Sequence, residues 1–434
     1  MSSAGPKRKL NAESHSSIGS RLANATSRRK RTFWVYLAAA GPGLIAANAG
    51  NDAGGIATYS SAGSQFGYRT LFFMVMVTIG LVVVQEMSAR LGVFSGKGLA
   101  ALIREEFSIR LAGLAMIALT ASNVGLVVSE FAGIGAAFQL FGVSRYISIP
   151  LSAIFIWGLV LFGTYRYAER VFLVMSLAFF AYPIAAVVGH PDWHKVATQT
   201  VFPHFIASQS FVFLGVALIG TTISPYMQVY AAAGVVDRGI SPDEFPLERA
   251  DAVGGAIFAN IISIFIIIAT AAAIGGTGPL QSAKQAALAL SPVAGSDAVI
   301  LFAIGLLGAS ALAGAVVPLS TSYAIAEVLG VERSVSRKFR QAPLFLGLFS
   351  AQVLLGAAVS LVPVNLITLL IFTQVLQGLL TPIILTFIVV LSNRASILGD
   401  AVNGRIFRKV ASVVVVGIAA LSSVLLIQTV IGWL

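Results

Sequence analysis

Two short polar breaks interrupt two apolar segments of this chain. The first is Asn51-Asp52-Ala53-Gly54-Gly55 and the second is Thr221-Thr222-Ile223-Ser224-Pro225. Each lies near the middle of a stretch long enough to cross a bilayer. A glycine run and a proline there free backbone amides and carbonyls. Irregular backbone survives at membrane depth only where it is buried in protein or lines a cavity. Asp52 adds a carboxylate, which is costly in a membrane and therefore marks a functional position. Two broken helices with polar groups at mid-membrane are the sequence signature of a transporter's substrate site.

The elements that must carry these breaks follow from composition. The chain has 434 residues, of which 57% are hydrophobic and only 10% charged. Its mean hydropathy is +0.90. That places it among all-α polytopic membrane proteins. With no cysteine, disulfides and thiolate metal sites are excluded. The histidines, His15, His190, His194 and His204, all lie outside the apolar spans, which excludes a buried imidazole site.

Eleven apolar stretches reach spanning length. They cover about 34–66, 68–93, 111–140, 145–163, 168–189, 209–236, 249–276, 297–328, 343–362, 365–392 and 409–433. Short amphipathic helices are expected at 97–107 and 281–290. Residues 1–32 read as a basic, Ser-rich, disordered cytoplasmic tail without the apolar core of a signal peptide. With the N-terminus inside, all but four of the 28 Lys and Arg fall on the cytoplasmic side; the exceptions are Arg69, Arg145, Lys195 and Lys284. This bias sets the N-terminus in and the C-terminus out of a plasma membrane. It also explains the net charge of +11 without any nucleic acid.

Breaks in spans 1 and 6 are offset by five. Spans 1–5 and 6–10 would then be inverted repeats, about 33–190 and 208–393, with an extra helix at 409–433 and the two breaks meeting at mid-membrane.

Several motifs give the chain a resemblance to the Nramp family of divalent-metal transporters. Span 1 reads Gly41-Pro42-Gly43-Leu44-Ile45, then Asp52-Ala53-Gly54-Gly55-Ile56-Ala57-Thr58. Span 2 ends Gln85-Glu86-Met87-Ser88-Ala89-Arg90-Leu91-Gly92-Val93, followed by Ser95-Gly96-Lys97-Gly98, and span 10 carries Thr373-Gln374-Val375. The resemblance implies a LeuT-type fold with discontinuous helices 1 and 6. It also implies an ion site among Asp52, Gly55, Thr221, Ser224, Tyr226, Gln374 and Glu130.

The departures from the family pattern carry chemistry. The family's Asp-Pro-Gly-Asn is here Asp52-Ala53-Gly54-Gly55, so an Asn ligand becomes Gly55. Its Met-Pro-His is here Ser224-Pro225-Tyr226, so a thioether becomes a hydroxyl and an imidazole a phenol. Val127 stands where the family has an Asp three residues before Glu130, and residues 343–362 lack its arginine, Gln352 being the nearest polar group. Loss of sulfur removes the preference for soft metals. A wide oxygen site suits a hard, partly hydrated Mg²⁺. Loss of the His, Asp and Arg removes most of a titratable proton path.

Each site residue has a plainer role beside the functional one. Asp52 can cap the half-helix that follows it. Thr221 and Thr222 can back-bond within a helix, and Ser224 can be a small packing residue. Tyr226 can be a packing aromatic, and Gln374, Gln377 and Asn123 interhelical amides. Glu130 can be a protonated bundle carboxyl. Glu86 and Arg90, four apart, read as an ion pair. Asp237, Arg238, Asp243, Glu244, Glu248, Arg249 and Asp251 read as a solvated loop. Trp34, Tyr36 and Trp433 suit the membrane interface.

The sequence thus reads as a carrier of divalent cations, Mg²⁺ first and Mn²⁺ second, working by alternating access without proton coupling. It needs no cofactor and no obligatory protein partner; its partners are the bilayer and the ion. The alternatives are a proton-coupled Mn²⁺/Fe²⁺ importer and an organic-solute carrier on the same fold.

Overall fold

A computed structural model describes residues 51–162, 165–331 and 341–431. The basic tail, the first half of span 1 with its Gly41-Pro42-Gly43 motif, Trp34, Tyr36 and Trp433 lie outside the described residues. Among those described there is no β-strand. The helices run α1 (Ala53–Phe66), α2 (Leu71–Ser95), α3 (Leu99–Glu106), α4 (Ile109–Leu140), α5 (Arg145–Leu161), α6 (Tyr165–Ser176), α7 (Ala181–Val188) and α8 (Trp193–Val201). They continue as α9 (Gln209–Thr222), α10 (Pro225–Asp237), α11 (Phe245–Ile274), α12 (Ala283–Ala287), α13 (Ala298–Leu329), α14 (Pro343–Ser360), α15 (Leu366–Ser392) and α16 (Arg405–Ile431).

Spans 2 to 11 have helical counterparts, and the described part of span 1 is helical from Ala53 to Phe66. Nine stretches of the described residues are long and apolar enough to cross a membrane, with Arg145–Leu161 a shorter tenth. One of the nine, Ala53–Ser95, joins the second half of span 1 to all of span 2. Span 6 is broken: α9 ends at Thr222 and α10 begins at Pro225. Proline suits the first turn of a helix, where its missing N–H has no partner to lose. The two amphipathic helices are present as α3 and as α12 with the 3₁₀ turn Leu288–Leu290.

Two features differ from expectation. Span 5 is not one continuous α-helix but α6 and α7 joined by the 3₁₀ turn Leu177–Phe180. Pro183 offers no N–H to the carbonyl of Phe179, so the chain tightens there instead. The connection between spans 5 and 6 holds an unexpected helix, α8. Asp192 caps it, its Oδ1 accepting from the Lys195 amide at 3.0 Å.

Apolar cores fill both halves of the bundle. One cluster joins Ile56, Tyr59 and Ala62 of α1 to Ile266 and Ile267 of α11, Leu306 of α13 and Leu370 of α15. A second joins Leu81 and Met87 of α2 to Ile219 of α9, Ile388 of α15 and Val415 of α16. Without water to drive association, close approach in a membrane rests on small residues. A methyl group built on Gly220 would come within 2.0 Å of the Gln374 carbonyl, and one on Gly378 within 2.2 Å of the Val216 carbonyl. Helices α9 and α15 therefore touch backbone to backbone. On the other side of α15, Ser422 of α16 donates to the Gly378 carbonyl at 3.0 Å.

The far end of α1 is pinned to the α11–α12 connection. The Gly276 amide donates to the Ser64 carbonyl, and Ser64 Oγ donates to the Gly278 carbonyl, both at 2.8 Å. At the opposite end the expected ion pair is present: Arg90 lies 3.1 Å from Glu86. Its guanidinium also donates to the Ala401 carbonyl at 2.9 Å and to Asn403 Oδ1. The acidic–basic cluster after α10 is more than a solvated loop. Arg249 Nε reaches Glu86 Oε1 at 3.4 Å, and Arg238 pairs at 2.6 Å with Glu248, which is buried. The carboxylate of Glu86 is shared between two helices, which draws that connection onto α2.

Candidate ion-binding site

Asp52 stands at the head of α1 with extended backbone, φ −70° and ψ 176°. Its Oδ1 accepts from the Gly55 amide at 2.6 Å, so it caps the half-helix as expected. The side chain is 1% exposed. One carboxylate oxygen is spent on the cap. The two glycines behind it serve different ends. Gly55 supplies the capping N–H and no side chain. Gly54 makes room: a methyl group there would lie 1.8 Å from Gln374 Nε2 and 2.6 Å from Ser129 Oγ.

Gln374 of α15 therefore lies against the start of α1. Its Nε2 donates to Ser129 Oγ at 3.4 Å, and its Oε1 accepts from Gln377 Nε2 at 2.9 Å. Both ends of this amide are held by protein, and Oε1 keeps one lone pair for a ligand. Gln377 acts as the support expected of it. The Gln374 carbonyl also packs on Gly220, which carries the chain to the second break.

At that break Ser224 precedes Pro225. Its hydroxyl turns back to donate to the Gly220 carbonyl at 2.8 Å and the Thr221 carbonyl at 3.3 Å. The hydroxyl thus satisfies carbonyls that a continuous helix would have served, and the Thr221 carbonyl is only weakly occupied. Thr221 Oγ1 is buried without a hydrogen-bond partner. Thr381 of α15 donates to the Ile223 carbonyl at 3.4 Å.

Glu130 of α4 is fully buried, and neither carboxyl oxygen has a hydrogen-bond partner. It is next in sequence to Ser129, which touches Gln374. One turn on, a methyl group at Gly133 would meet Ala53 Cβ at 2.3 Å and Ser310 Oγ at 2.5 Å. Glu130 thus sits one helical turn from the residue that follows Asp52. Tyr226 is 2% exposed and belongs to an apolar cluster with Leu126, Val127, Phe131 and Phe349. Its packing role is the more evident one.

The structure brings Asp52, Gly55, Gln374, Thr221, Ser224, Glu130 and Tyr226, in the first turn after Pro225, around the two breaks. Three polar residues outside the breaks and without an expected role join them: Ser129, Tyr59 and Ser263. Ser129 touches Gln374, and the Tyr59 hydroxyl lies 3.1 Å from Thr222 Oγ1, tying α1 to α9. Ser263 of α11 donates to Asn51 Oδ1 at 3.2 Å. Tyr59 lies seven residues after Asp52, hence on the same helical face, which is a readable signal. The partners Ser129 and Ser263 carry no such signal; they are known only from the packing of α4 and α11.

At Val127 the family's carboxylate position is filled by carbon. A methyl group on Gly356 of α14 would meet Val127 Cγ1 at 2.5 Å, so Val127 packs directly on that helix. Gln352, one turn earlier, donates to the Leu348 and Pro318 carbonyls at 3.1 and 3.3 Å. Asn123 donates to Thr321 Oγ1 at 2.7 Å as an interhelical amide.

A bundle of long apolar helices, two of them meeting at a buried carboxylate, is the architecture of a membrane transporter. A family model described as "Natural resistance-associated macrophage protein-like" matches residues 43–428, and the chain belongs to this Nramp family. Among curated relatives, the divalent metal cation transporter MntH of Granulibacter bethesdensis is 26% identical over 426 residues, 94% of this chain and 92% of that one. MntH 1 of Pseudomonas aeruginosa is 30% identical over 306 residues, 66% of this chain and 67% of that one. Among solved structures, the Eremococcus coleocola manganese transporter superposes with a TM-score of 0.75 at 19% identity, covering 90% of this chain and 86% of that one. MhsT, solved with L-phenylalanine, follows at 0.54 and 14%, covering 89% and 97%. These likenesses show the fold, the LeuT-type one.

Proposed function

We propose that this chain carries divalent cations into the cell by alternating access, with Mg²⁺ as the preferred and Mn²⁺ as a secondary substrate, and without a coupled proton. In this reading the protein lies in a plasma membrane with its N-terminus cytoplasmic and its C-terminus outside. The observation that carries the reading is the donor set around the breaks. Asp52 supplies a carboxylate; Thr221, Ser224 and Gln374 supply neutral oxygens. No sulfur and no imidazole stands among them. Hard oxygen ligands with one net negative charge favour a cation that keeps several waters. Gly55 leaves space for those waters.

The apolar contact of Val127 with the Gly356 backbone supports the uncoupled mechanism, because it leaves no titratable pair between α4 and α14. Coupling is also unnecessary for uptake. The membrane potential favours inward movement by about 2.3 kcal/mol per charge per 100 mV. The relatives named for divalent metal and manganese transport support the substrate class. One observation favours a second reading, a proton-coupled Mn²⁺/Fe²⁺ importer: Glu130 is buried beside the site with both oxygens unpartnered.

The test is uptake by the purified protein in liposomes with a trapped Mg²⁺ indicator, wild type against Asp52→Ala. Loss of Mg²⁺ influx in a variant that still inserts supports the site. Unchanged influx contradicts it.

A further inference from the structure

A cavity of about 970 Å³ opens where the end of α4 meets the starts of α5, α12, α13 and α15, and no residue of the two breaks lines it. Two cations, Arg145 and Lys284, line it, with no carboxylate among the lining residues. These are two of the four basic residues that fall on the cation-poor face of the bundle. A face depleted of Lys and Arg has gathered half of its remaining cations around one hollow.

Among the described residues neither cation is neutralised: no carboxylate pairs with Arg145 or Lys284. Arg145 is fixed in place: it donates to the Val364 carbonyl at 2.7 Å and to the Tyr146 hydroxyl at 3.3 Å, and its guanidinium lies over the Tyr146 ring at 5.2 Å. A guanidinium has five N–H groups, so donors remain. Lys284 is exposed, on a long side chain that can reach a ligand in the hollow. The neutral lining adds polar groups from Gln139 and Asn365. Two helices of 17 and 27 residues, α5 and α15, start at this cavity, capped by Ser144 and Asn365. Their N-terminal ends add positive potential of the same sign.

We propose that this cavity binds a phosphate-type anion, either free or as the headgroup of an anionic phospholipid. Arg145 supplies a planar, pre-positioned fork and Lys284 a closing point charge. The anion would tie α12 to α5 and α15. Because Ala283, Ala286 and Ala287 of α12 pack in the same core as Ile56, Tyr59 and Ala62 of α1, occupancy would also brace the far end of α1.

The test uses the full chain purified in neutral detergent without phosphate. Inorganic phosphate is titrated calorimetrically, and short-chain phosphatidylglycerol is titrated against phosphatidylcholine, into wild type, Lys284→Gln and the Arg145→Gln/Lys284→Gln pair. Saturable phosphate binding, weakened about ten-fold or more in Lys284→Gln as expected for loss of one charged hydrogen bond, supports a free-anion site. Phosphatidylglycerol binding with the same loss, and no response to phosphate, supports a lipid site. Failure of both probes to bind wild type, or binding that survives in the double variant, overturns the proposal. Lys284 makes no contact that folding needs, so its variant stays informative if the pair does not fold. Asp52→Asn should bind phosphate like wild type, which separates this site from the transport reading.

Discussion

The side-chain amide of Gln374 occupies the space that a methyl group on Gly54 would require: the two would stand 1.8 Å apart. Glycine at position 54 is thus a condition for Gln374 to reach the head of α1. The contact joins α15 to α1 beside the Asp52 cap, and everything proposed for the ion site depends on it.

Gly54→Ala should therefore push the Gln374 amide away from Ser129 and weaken cation binding while the protein still inserts. Calorimetric titration with Mg²⁺ or Mn²⁺ checks this. Adding Gln374→Ala to Gly54→Ala removes the closer of the two clashes and leaves only Ser129 Oγ at 2.6 Å, so the pair should be more stable than Gly54→Ala alone. A pair whose effects simply add would show that the contact is not the reason for the glycine.

Asp52 does two jobs that substitution can separate. Asparagine caps a helix as well as aspartate does, so Asp52→Asn should keep thermal stability and lose ion uptake. Asp52→Ala should lose uptake and also about 1 kcal/mol of stability with the cap. Thermal melts beside liposome uptake read both effects. Wild-type uptake in Asp52→Asn would mean that the carboxylate is structural only.

Ser224 stands where a thioether would favour soft metals. Ser224→Met should raise Cd²⁺ or Mn²⁺ uptake relative to Mg²⁺. It should also lower stability, because the Gly220 carbonyl loses its 2.8 Å hydrogen bond. A single such bond is worth about 1 kcal/mol. Uptake of Cd²⁺ in competition with Mg²⁺ measures the shift.

The α9–α15 contact is backbone against backbone, so it cannot yield. Gly378→Ala should cost about 1–3 kcal/mol by overpacking, since the Val216 carbonyl has nowhere to go. Ser422→Ala, which removes one hydrogen bond to the same Gly378, should cost about 1 kcal/mol or less. Denaturation in detergent ranks the two.

Span positions were legible because hydropathy and the Lys/Arg bias are long-range averages that single residues do not disturb. The breaks were legible because Asp52 with Gly54-Gly55, and Ser224 with Pro225, are local chemistry. The 3₁₀ turn before Pro183 and the helix capped by Asp192 were readable in principle from a proline and an acidic cap, but the surrounding apolar and loop signals outweighed them. The Gly54–Gln374 and Gly220–Gly378 contacts are different in kind. They join residues more than a hundred positions apart, and nothing at either position names the other. The link from Arg249 to Glu86 was hidden for the same reason, inside what looked like a charged loop.

Uncoupled Mg²⁺ carriage is tested by influx into proteoliposomes under an imposed inside-negative potential, with a pH dye in the lumen. Mg²⁺ influx should follow the potential and leave the lumen pH unchanged. Influx of Mn²⁺ with acidification, and none of Mg²⁺, would contradict uncoupled carriage and assign Glu130 the proton path.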